Sequence, residues 1–344
     1  MLLKGSQLGV PEEATHALLK YAKRLYDNGL PIIYDQRHFS LLCGKDYDYL
    51  IGVSNHKEGA YKRYYLLKRS GGRRLIMEPL PSLKEVQEWI LKNILYPTTD
   101  YTVAKVAKAF VPGIGLRENV RFHTRKKIVV NFDLKDFFFS VRFKEVRNIF
   151  SQLGYADTVA IFLASLCTCH NALPQGAPTS PMLSNMAFKT YDEAIFSYCR
   201  ENKILYTRYA DDMSMSGDFD IDELVKFICC LFKNSPFRIN WSKFKVYNNS
   251  SRQLVTNIVV NDYPQVCRTY RRNIRKEIHY IKRFGIESHL KKIGITINPV
   301  AYLRVLAGRI NYCLLINRRD TEMNSYKQFI SDSYLQFTSK EGEN

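Results

Sequence analysis

The pattern of predicted elements indicates an α+β fold. A short, nearly all-apolar run at 127–132 is typical of a buried strand. A second strand at 203–209 and the alternating run at 213–217 are typical of a hairpin. Helical spacing of apolar side chains occupies the segments between and after them, at 143–153, 156–170, 182–201 and 222–233. The predicted core therefore contains both a small sheet and several helices.

Further elements are predicted on both sides of this core. Residues 12–28 have helical spacing and are followed by Gly29, a residue type that commonly ends helices. Residues 61–79 are predicted to form two strands joined by a Ser-Gly-Gly turn. The other predictions are a helix at 82–96, strands near 244–247 and 254–260, and a helical pattern over 268–292 that continues to the end of the chain.

The chain is long and strongly basic. Its 344 residues suggest about two domains, or one enzyme core with appendages, and a hydrophobic content of 46% excludes wholesale disorder. Lys and Arg number 51 against 33 Asp and Glu, which gives a formal net charge of +18. A globular protein this basic usually binds a polyanion, such as nucleic acid, an anionic membrane surface or an acidic partner.

The hydropathy pattern of the sequence predicts neither a membrane span nor an export signal. No apolar run reaches the roughly 18–20 residues that span a bilayer. The first residues lack the long apolar stretch and small-residue cleavage site of a secretory signal. We therefore expect a cytoplasmic protein without a membrane partner.

Cysteine usage argues against a disulfide scaffold, because eight cysteines are sparse for a chain of this length. The one metal-like cluster is Cys167-Thr168-Cys169-His170, at the end of an apolar helical stretch. No second Cys/His pair has zinc-like spacing. We therefore favour small core residues over a zinc site.

Three aspartates are candidates for a metal centre. Asp133 ends the buried strand, where a carboxylate is costly unless it is solvated or binds a metal. Asp211 and Asp212 are adjacent and lie between apolar or aromatic strands, where a divalent cation would stabilise them. An ordinary acidic turn is the alternative. If the two strands are neighbours, the three carboxylates could hold two Mg²⁺ ions, as phosphoryl transfer requires.

A proline-rich loop, LPQGAPTSP at 173–181, precedes the helix at 182. Gly176 permits close backbone approach, and Gln175 offers an amide to a base or a phosphate. The prolines stiffen the loop. Taken alone, the loop is more typical of a plain helix start than of a binding element.

Together these segments resemble the motifs of one enzyme family. FDLKDFF at 132–138, LPQGAPTSP and YADD at 209–212 match, in this order, motifs A, B and C of reverse transcriptases. The chain resembles bacterial reverse transcriptases of the retron type and their defence-associated relatives. The resemblance covers most of the chain, because GLPIIYDQRHFSLLCG, KRSGGRRLIMEPLPSLKEVQEWILKNIL and INWSKFKV also match in order.

The resemblance implies a right-hand polymerase with fingers, a palm of antiparallel sheet plus helices, and a small helical thumb. The expected boundaries are 1–115 for the N-terminal segment and fingers, 116–260 for the palm with the remaining fingers elements, and 261–344 for the thumb. It implies an RNA-directed DNA polymerase that adds dNTPs to a primer hydroxyl, with a structured non-coding RNA as template, in retron synthesis and anti-phage defence. The implied cofactors are two Mg²⁺ ions, or Mn²⁺. The implied partners are the cognate RNA, the RNA–DNA product and an effector protein encoded nearby.

The resemblance also implies roles for individual residues. Phe138 matches the bulky position that screens the sugar 2′-hydroxyl, and Lys243 matches a lysine that acts on pyrophosphate. The expected catalytic residues are Asp133, Asp211, Asp212 and Lys243, of which the three aspartates hold the metals. The expected dNTP-binding residues are Lys68, Arg74, Asp136, Phe137, Phe138, Gln175 and Gly176. The expected nucleic-acid-binding residues are Asn119, His123, Tyr209, Arg268, Arg271, Arg272, Arg275, Lys276, Lys282 and Arg283.

Two segments depart from the retron pattern. Retron enzymes commonly carry Asn-Ala-x-x-His upstream of motif A, and here Val120 replaces the Ala between Asn119 and His123. They also commonly carry Val-Thr-Gly, and here the third residue is Asn257. Asn tolerates the left-handed backbone conformation better than most residues, so the turn can persist.

Three alternatives remain open. The first is a defence-associated, intron-type or diversity-type reverse transcriptase that makes no retron product. The second is a non-catalytic RNA-binding module with a polymerase fold, although all three carboxylates are present. The third is a metal-dependent nuclease, in which the LPQG loop and Phe138 have no obvious use.

Overall fold

The computed structural model describes residues 11–68 and 71–341 and has the predicted α+β class. The helices are α1 Glu12–Asp27, α2 Gln36–Cys43, α3 Tyr47–Asn55, α4 Pro81–Ile90, α5 Thr99–Thr102, α6 Leu116–Val120, α7 Phe137–Ser140, α8 Phe143–Gln152, α9 Asp157–Cys167, α10 Ser180–Glu201, α11 Ile221–Phe232, α12 Arg268–Phe284, α13 Ile286–Ile293, α14 Pro299–Ile316 and α15 Thr321–Glu341. The strands are β1 Tyr61–Leu67, β2 Arg73–Pro79, β3 Ile128–Lys135, β4 Leu205–Tyr209, β5 Asp212–Gly217, β6 Arg238–Ile239, β7 Lys245–Asn248, β8 Leu254–Val255, β9 Ile258–Val259 and β10 Gln265–Val266.

Most predicted elements form close to their predicted bounds, and three differ. The helical pattern over 268–292 is two helices, because Gly285 adopts φ +77 and interrupts the helix. The run at 254–260 is two short strands joined by a turn at Thr256 and Asn257. The helix predicted at 82–96 is α-helical to Ile90 and then continues as a π-helical turn. In the hairpin predicted at 61–79, Ser70 of the Ser-Gly-Gly turn lies outside the described residues.

The central sheet is antiparallel and has five strands. Its order is β4-β5-β3-β6, and β7 also pairs with β3. One hydrophobic core joins its inner face to α10 and α11, through residues such as Phe132, Met213, Phe188 and Ile228. Each large apolar side chain buried there contributes about 1.5–3 kcal/mol. The sheet is therefore a rigid platform for the residues at its end.

A second core holds the C-terminal region together. It joins the small sheet β8-β9-β10 to α12, α13, α14 and α15, with Ile274, Ile278, Leu306 and Ile310 nearly inaccessible. Val129 of β3 belongs to this core, so the central sheet contacts both clusters.

Among the residues that the structure describes, one helix, α14, is long and apolar enough to cross a membrane by length and composition alone. The sequence pattern predicts no such run, because two arginines interrupt the apolar residues of this segment. One face of α14 is buried in the second core, and its sequence includes Arg304 and Arg309. Core helices commonly meet the same criterion, so α14 gives little support to a membrane span.

Candidate active site

The register of the central sheet brings the three aspartates together. Asp133 of β3 lies directly opposite Asp212 of β5, and the two strands are antiparallel neighbours. The backbone N–H of Leu134 donates to the carbonyl of Asp211 at 2.9 Å. The predicted adjacency of these strands is therefore confirmed, and it places the three carboxylates at one end of the sheet.

A buried arginine supports the turn that carries Asp211. Ala210 adopts φ +59, a conformation that is strained for a residue with a Cβ. The guanidinium of Arg208 donates to the Ala210 carbonyl at 2.9 Å and to Oδ1 of Asn185 at 3.0 Å. Arg208 is itself fixed by a salt bridge to Asp192 at 2.6 Å, in which both side chains are 0% exposed. This network holds the backbone immediately before the aspartate pair.

We expect Arg208→Lys to reduce DNA synthesis by about 10–100-fold, the range found when a residue that supports a metal ligand is changed. Lysine retains the charge beside Asp192 but lacks the planar fork that reaches Ala210 and Asn185 together. Single-turnover nucleotide addition at saturating dNTP measures the effect, with Arg200→Lys on the exposed end of α10 as control. Equal rates for the two variants would show that Arg208 does not position the turn.

Asp133 has two polar neighbours from the segment after β6. Nζ of Lys243 lies 2.7 Å from Oδ1 of Asp133, and Nδ2 of Asn240 donates to Oδ2 at 2.9 Å. Asn240 also donates its backbone N–H to the Asp133 carbonyl at 2.8 Å. The side chain of Lys243 is 57% exposed, whereas that of Asp133 is 7% exposed. The predicted lysine thus lies at the carboxylates, where its charge offsets part of theirs.

The carboxylates still carry more negative charge than the protein neutralises. Burial, followed by repulsion from Asp211 and Asp133, raises the pKa of Asp212 to about 7. Burial and the nearby Asp133 also raise the pKa of Asp211. Burial opposes ionisation of Lys243, but its bond to Asp133 and the other two carboxylates raise its pKa overall. This excess of carboxylate charge is what a divalent cation would compensate.

The donor set fits a hard cation such as Mg²⁺, which prefers carboxylate oxygens. In the described part of the chain, no group of three or more Asp, Glu, His or Cys side chains is already arranged to hold a metal ion. Both carboxylate oxygens of Asp133 accept hydrogen bonds, from Lys243 and from Asn240. Asp133, Asp211 and Asp212 are the residues that would hold such ions, and the charge of the ions would offset the repulsion between the three carboxylates.

We expect Asp212 to contribute a loss of stability to the metal-free protein as the pH rises from about 4 to about 7. The pKa of Asp212 is about 7 in the folded chain, against 3.8 ordinarily, so the native state binds more protons across this interval. Asp212→Asn removes the ionisation. Solvent partly screens the half-buried Asp212 carboxylate. We therefore expect the Asp212→Asn substitution to stabilise the protein by about 1–2 kcal/mol at pH 8 in EDTA, and by much less at pH 5. Urea denaturation at both pH values measures this, and an equal effect at the two would contradict it.

A cavity of about 610 Å³ lies beside the aspartates. Its wall includes most of the predicted dNTP-binding residues, namely Lys68, Arg74, Asp136, Phe137, Phe138 and Gln175, together with Asp133, Asp211 and Lys243. Lys68 and Arg74 come from the β1–β2 hairpin and are exposed cations facing acidic residues of the palm. The volume suits a nucleotide-sized ligand, since such sites commonly span about 300–1,000 Å³.

Gly176 is absent from this cavity wall and lies instead against the fingers hairpin. It adopts φ +125, and a Cβ there would come within 2.9 Å of the Met77 carbonyl and of Cγ2 of Ile76. The neighbouring Gln175 carbonyl accepts from the Met77 backbone N–H at 2.8 Å. Gly176 is therefore placed to let the loop dock on β2, and only Gln175 faces the nucleotide-sized cavity.

The two predicted phenylalanines have different surroundings. Phe137 is 4% exposed and packs against Phe188 and Phe237, so it is mainly a core residue. Phe138 is half-buried, with its ring 6.2 Å from that of Phe110, and it lines the cavity. Asp136 starts this short helix in a left-handed conformation, φ +49. This turn directs Phe138 toward the cavity.

Two predicted nucleic-acid contacts must be corrected. His123 is 0% exposed, and its ring nitrogens bond to the hydroxyls of Ser216 and Thr207 at 2.7 and 2.8 Å. Burial lowers its pKa to about 3, so it stays neutral. Asn119 is 1% exposed and lies 3.4 Å from Oγ1 of Thr256. Because both side chains are buried, neither can reach a ligand on the surface. Their contacts instead join the α6 segment to the sheets.

The predicted basic helix divides into two faces. Arg271 bonds to Asp320 and Glu322, Arg275 bonds to Glu322, and Lys282 lies 4.8 Å from the ring centre of Phe329. These three cations therefore join α12 to the Asp320–Phe329 region; Arg271 and Arg275 do so through ion pairs, and Lys282 does so through the ring of Phe329. The predicted Arg268, Arg272, Lys276 and Arg283 are exposed and form no ion pair among the described residues.

Tyr209, the remaining predicted nucleic-acid-binding residue, is half-buried and lies opposite Asp212 in the central sheet.

Sequence reasoning missed the residues that hold the site in place. Asn240 lies three residues before Lys243, and nothing in the neighbouring sequence indicates that its side chain bonds to Asp133. Arg208 did give one, because a charged residue in an otherwise buried strand requires a partner. Asp192 and Asn185, which supply the partners, lie on α10, 16 and 23 positions before Arg208 in the chain. Asn257 behaves as expected, since it adopts φ +63 in the turn.

The chain is similar to known polymerases. Residues 66–299 match the family model described as reverse transcriptase (RNA-dependent DNA polymerase). The retron Mx65 reverse transcriptase of Myxococcus xanthus is 31% identical over 315 residues, which cover 84% of this chain and 72% of that relative. The retron Ec86 reverse transcriptase of Escherichia coli is 29% identical over 264 residues, 75% of this chain and 81% of the relative.

Among solved structures, telomerase from Candida albicans has a TM-score of 0.45 and 13% identity. That alignment covers 76% of this chain and 55% of the telomerase, so the chain spans about half of its length. The family match covers well over half of the chain and includes all three aspartates. The chain therefore belongs to the reverse transcriptases, is of the retron type, and is an RNA-directed DNA polymerase with a palm-and-fingers fold.

Proposed function

We propose that this enzyme copies a structured non-coding RNA into DNA by two-metal nucleotidyl transfer, as part of a retron. The observation that carries the proposal is the register of Asp133 opposite Asp212, next to Asp211, with a cavity of about 610 Å³ alongside. Asp133, Asp211 and Asp212 would hold two Mg²⁺ ions, or Mn²⁺. When bound, these ions stabilise the charge on the attacking and leaving oxygens.

The other side chains of the cavity divide the remaining tasks. A primer hydroxyl attacks the α-phosphorus of the dNTP, a new phosphodiester bond forms, and pyrophosphate leaves. Lys68 and Arg74 would bind the triphosphate, and this role is supported by their position as exposed cations of the fingers hairpin in the cavity wall. Lys243 is a protonated group at the same wall and can supply a proton to the pyrophosphate. Gln175 can contact the base or the template.

We assign the path of the nucleic acid to the exposed cations of α12. Arg268, Arg272, Lys276 and Arg283 would bind phosphates of the primer–template or of the cognate RNA. We propose the boundaries 1–115, 116–260 and 261–344 for fingers, palm and thumb; the small sheet β8-β9-β10 crosses the second boundary. A cytoplasmic location, an effector protein encoded nearby and a role in anti-phage defence complete the proposal, on the resemblance to retron and defence-associated enzymes.

Extraction of the bound nucleic acid tests the retron assignment. The protein is purified from its native host, and the extract is treated separately with RNase and with DNase. We expect a short DNA that stays joined to RNA through a branch resistant to ordinary RNase. RNA alone, or DNA without an RNA linkage, would assign the enzyme to the defence-associated relatives instead. In that case the departures at Val120 and Asn257 would mark the divergence.

A further inference from the structure

Phe110 has a backbone conformation that an aromatic residue rarely adopts. Its φ is +63, in the left-handed region, where the Cβ of a bulky residue is crowded by its own backbone. The side chain is also 40% exposed, so burial of the ring offsets this strain only in part. Strained residues persist only where the surrounding structure holds them, and they cluster at functional sites. The conformation of Phe110 therefore indicates a role beyond packing.

The buried network that supports the aspartate turn also fixes the chain before Phe110. The backbone N–H of Arg208 in β4 donates to the Val106 carbonyl at 2.9 Å. Nδ2 of Asn185 donates to the Ala109 carbonyl at 2.8 Å, and this asparagine is 0% exposed. These bonds hold the backbone up to the residue before Phe110, which is the support that a strained residue requires.

The ring of Phe110 lies between two cavities. It lines the nucleotide-sized cavity of about 610 Å³ beside the aspartates. It also lines a second, apolar cavity of about 300 Å³, whose wall includes Leu91, Tyr96, Pro178 and Met182. In the described part of the chain, Phe110 is the one residue that belongs to both walls. Removal of its ring would therefore join the apolar cavity to the nucleotide-sized cavity.

Phe110 packs against the residue that is expected to screen the sugar. The ring centres of Phe110 and Phe138 are 6.2 Å apart and their planes are tilted by 47°, which is within the range of favourable aromatic pairs. The other ring beside Phe138 is that of Phe137, at 5.8 Å, and Phe137 is fixed in the core with 4% exposure. Phe110 is thus the neighbour that separates Phe138 from the apolar cavity. Without it, Phe138 would gain space in which to turn away from the nucleotide.

We propose that Phe110 is a positioning residue for sugar selection. Its ring fills the space into which Phe138 would otherwise turn, and so keeps the ring of Phe138 where a 2′-hydroxyl would lie. The inference rests on the proposed function, because it requires that Phe138 screens the sugar of the incoming nucleotide. It deepens that function by assigning the rigidity of the screen to a strained residue from a different segment of the chain.

Single-nucleotide addition by the full chain on a primer–template tests this role. The measured quantity is kcat/KM for a dNTP relative to kcat/KM for the matching NTP. We expect Phe110→Ala to lower this preference about three- to tenfold, the range that loss of one aromatic contact gives. The loss should arise from better use of the NTP, while kcat for the dNTP stays nearly unchanged because the aspartates are untouched.

Two matched variants separate the ring of Phe110 from general loosening. Phe110→Tyr keeps the ring beside Phe138 and should keep the preference for dNTP. Tyr96→Ala opens the apolar cavity at a residue that does not line the nucleotide-sized cavity, and it should also keep the preference. A loss in Phe110→Tyr equal to that in Phe110→Ala, or an equal loss in Tyr96→Ala, would overturn the inference.

A double variant distinguishes positioning from direct contact with the nucleotide. If Phe110 acts through Phe138, Phe110→Ala combined with Phe138→Ala should have the same sugar preference as Phe138→Ala alone, because no ring remains to be positioned. A further loss of preference in the double variant would show that Phe110 contacts the sugar itself, which contradicts a positioning role.

Phe110→Gly separates sugar selection from stability. Glycine adopts a φ of +63 without strain, so this variant should melt at or above the temperature of Phe110→Ala. It also lacks the ring, so its preference for dNTP should fall as far as that of Phe110→Ala. A wild-type preference in Phe110→Gly would show that the alanine variant acts through a damaged fold, and the inference would be wrong.

Failure of this inference is distinguishable from failure of the proposed function. DNA synthesis by wild type with dNTPs tests the polymerase assignment without any variant. An unchanged preference in Phe138→Ala would remove the screen and this inference with it. A reduced preference in Phe138→Ala together with an unchanged one in Phe110→Ala would keep the screen and exclude only the role of Phe110.

Discussion

Replacement of Asp211 by Asn is expected to reduce DNA synthesis by about a thousandfold or more. Asp211 lies at the end of the sheet beside Asp133 and Asp212, and burial together with the repulsion from Asp133 raises its pKa. An amide cannot supply the charged oxygen that a divalent cation requires. Charge stabilisation by catalytic metal is worth several kcal/mol, and each 1.36 kcal/mol changes the rate tenfold. Primer extension with dNTPs at saturating Mg²⁺ measures the loss.

The same variant should bind RNA nearly as well as wild type, because the substitution leaves the exposed cations of α12 intact. Asp222→Asn provides the matched control, since Asp222 is an exposed carboxylate in the first turn of α11. Full activity in Asp211→Asn would refute the metal-ligand assignment. A parallel loss of RNA binding would instead show that the substitution disrupts the fold, and the melting temperature would decide this.

Replacement of Phe138 by Ala is expected to let the enzyme incorporate ribonucleotides. The ring of Phe138 is half-buried and lines the cavity that also contains Asp133 and Gln175. Removing the ring opens space where a 2′-hydroxyl would lie. A site that excludes one added hydroxyl by shape discriminates by about a hundredfold. We therefore expect the preference for dNTP over NTP to fall about 10–100-fold, measured by single-nucleotide addition.

The neighbouring Phe139 offers the control for this prediction. It is also half-buried in the FFF run and lines the same cavity. Phe139→Ala should retain the preference for deoxynucleotides, because the gate is expected at one position only. Unchanged sugar selection in Phe138→Ala would contradict the gate, and equal changes in both variants would indicate a general loosening of the cavity.

The sequence by itself determined the features that depend on neighbouring residues. A short apolar run located the strand before Asp133, apolar periodicity located the helices that follow it, and the residue order of three motifs identified the family. The left-handed turn at Asn257 was also predictable, since the preference for that conformation belongs to the residue type. Gly285 carried a similar signal, but the helical periodicity on both sides of it concealed the break.

Only the tertiary structure decided which polar groups meet. Lys243 is 110 positions from Asp133, and Arg271 lies 49 positions from Asp320, yet each pair is in contact. His123 matched a motif position but is enclosed by two strands, so its hydroxyl partners replace any ligand. His289 likewise contacts the hydroxyl of Tyr302, which donates a hydrogen bond to Glu277 of α12. Such partners are set by strand register and helix packing, which act between distant segments and leave no periodic trace in the chain.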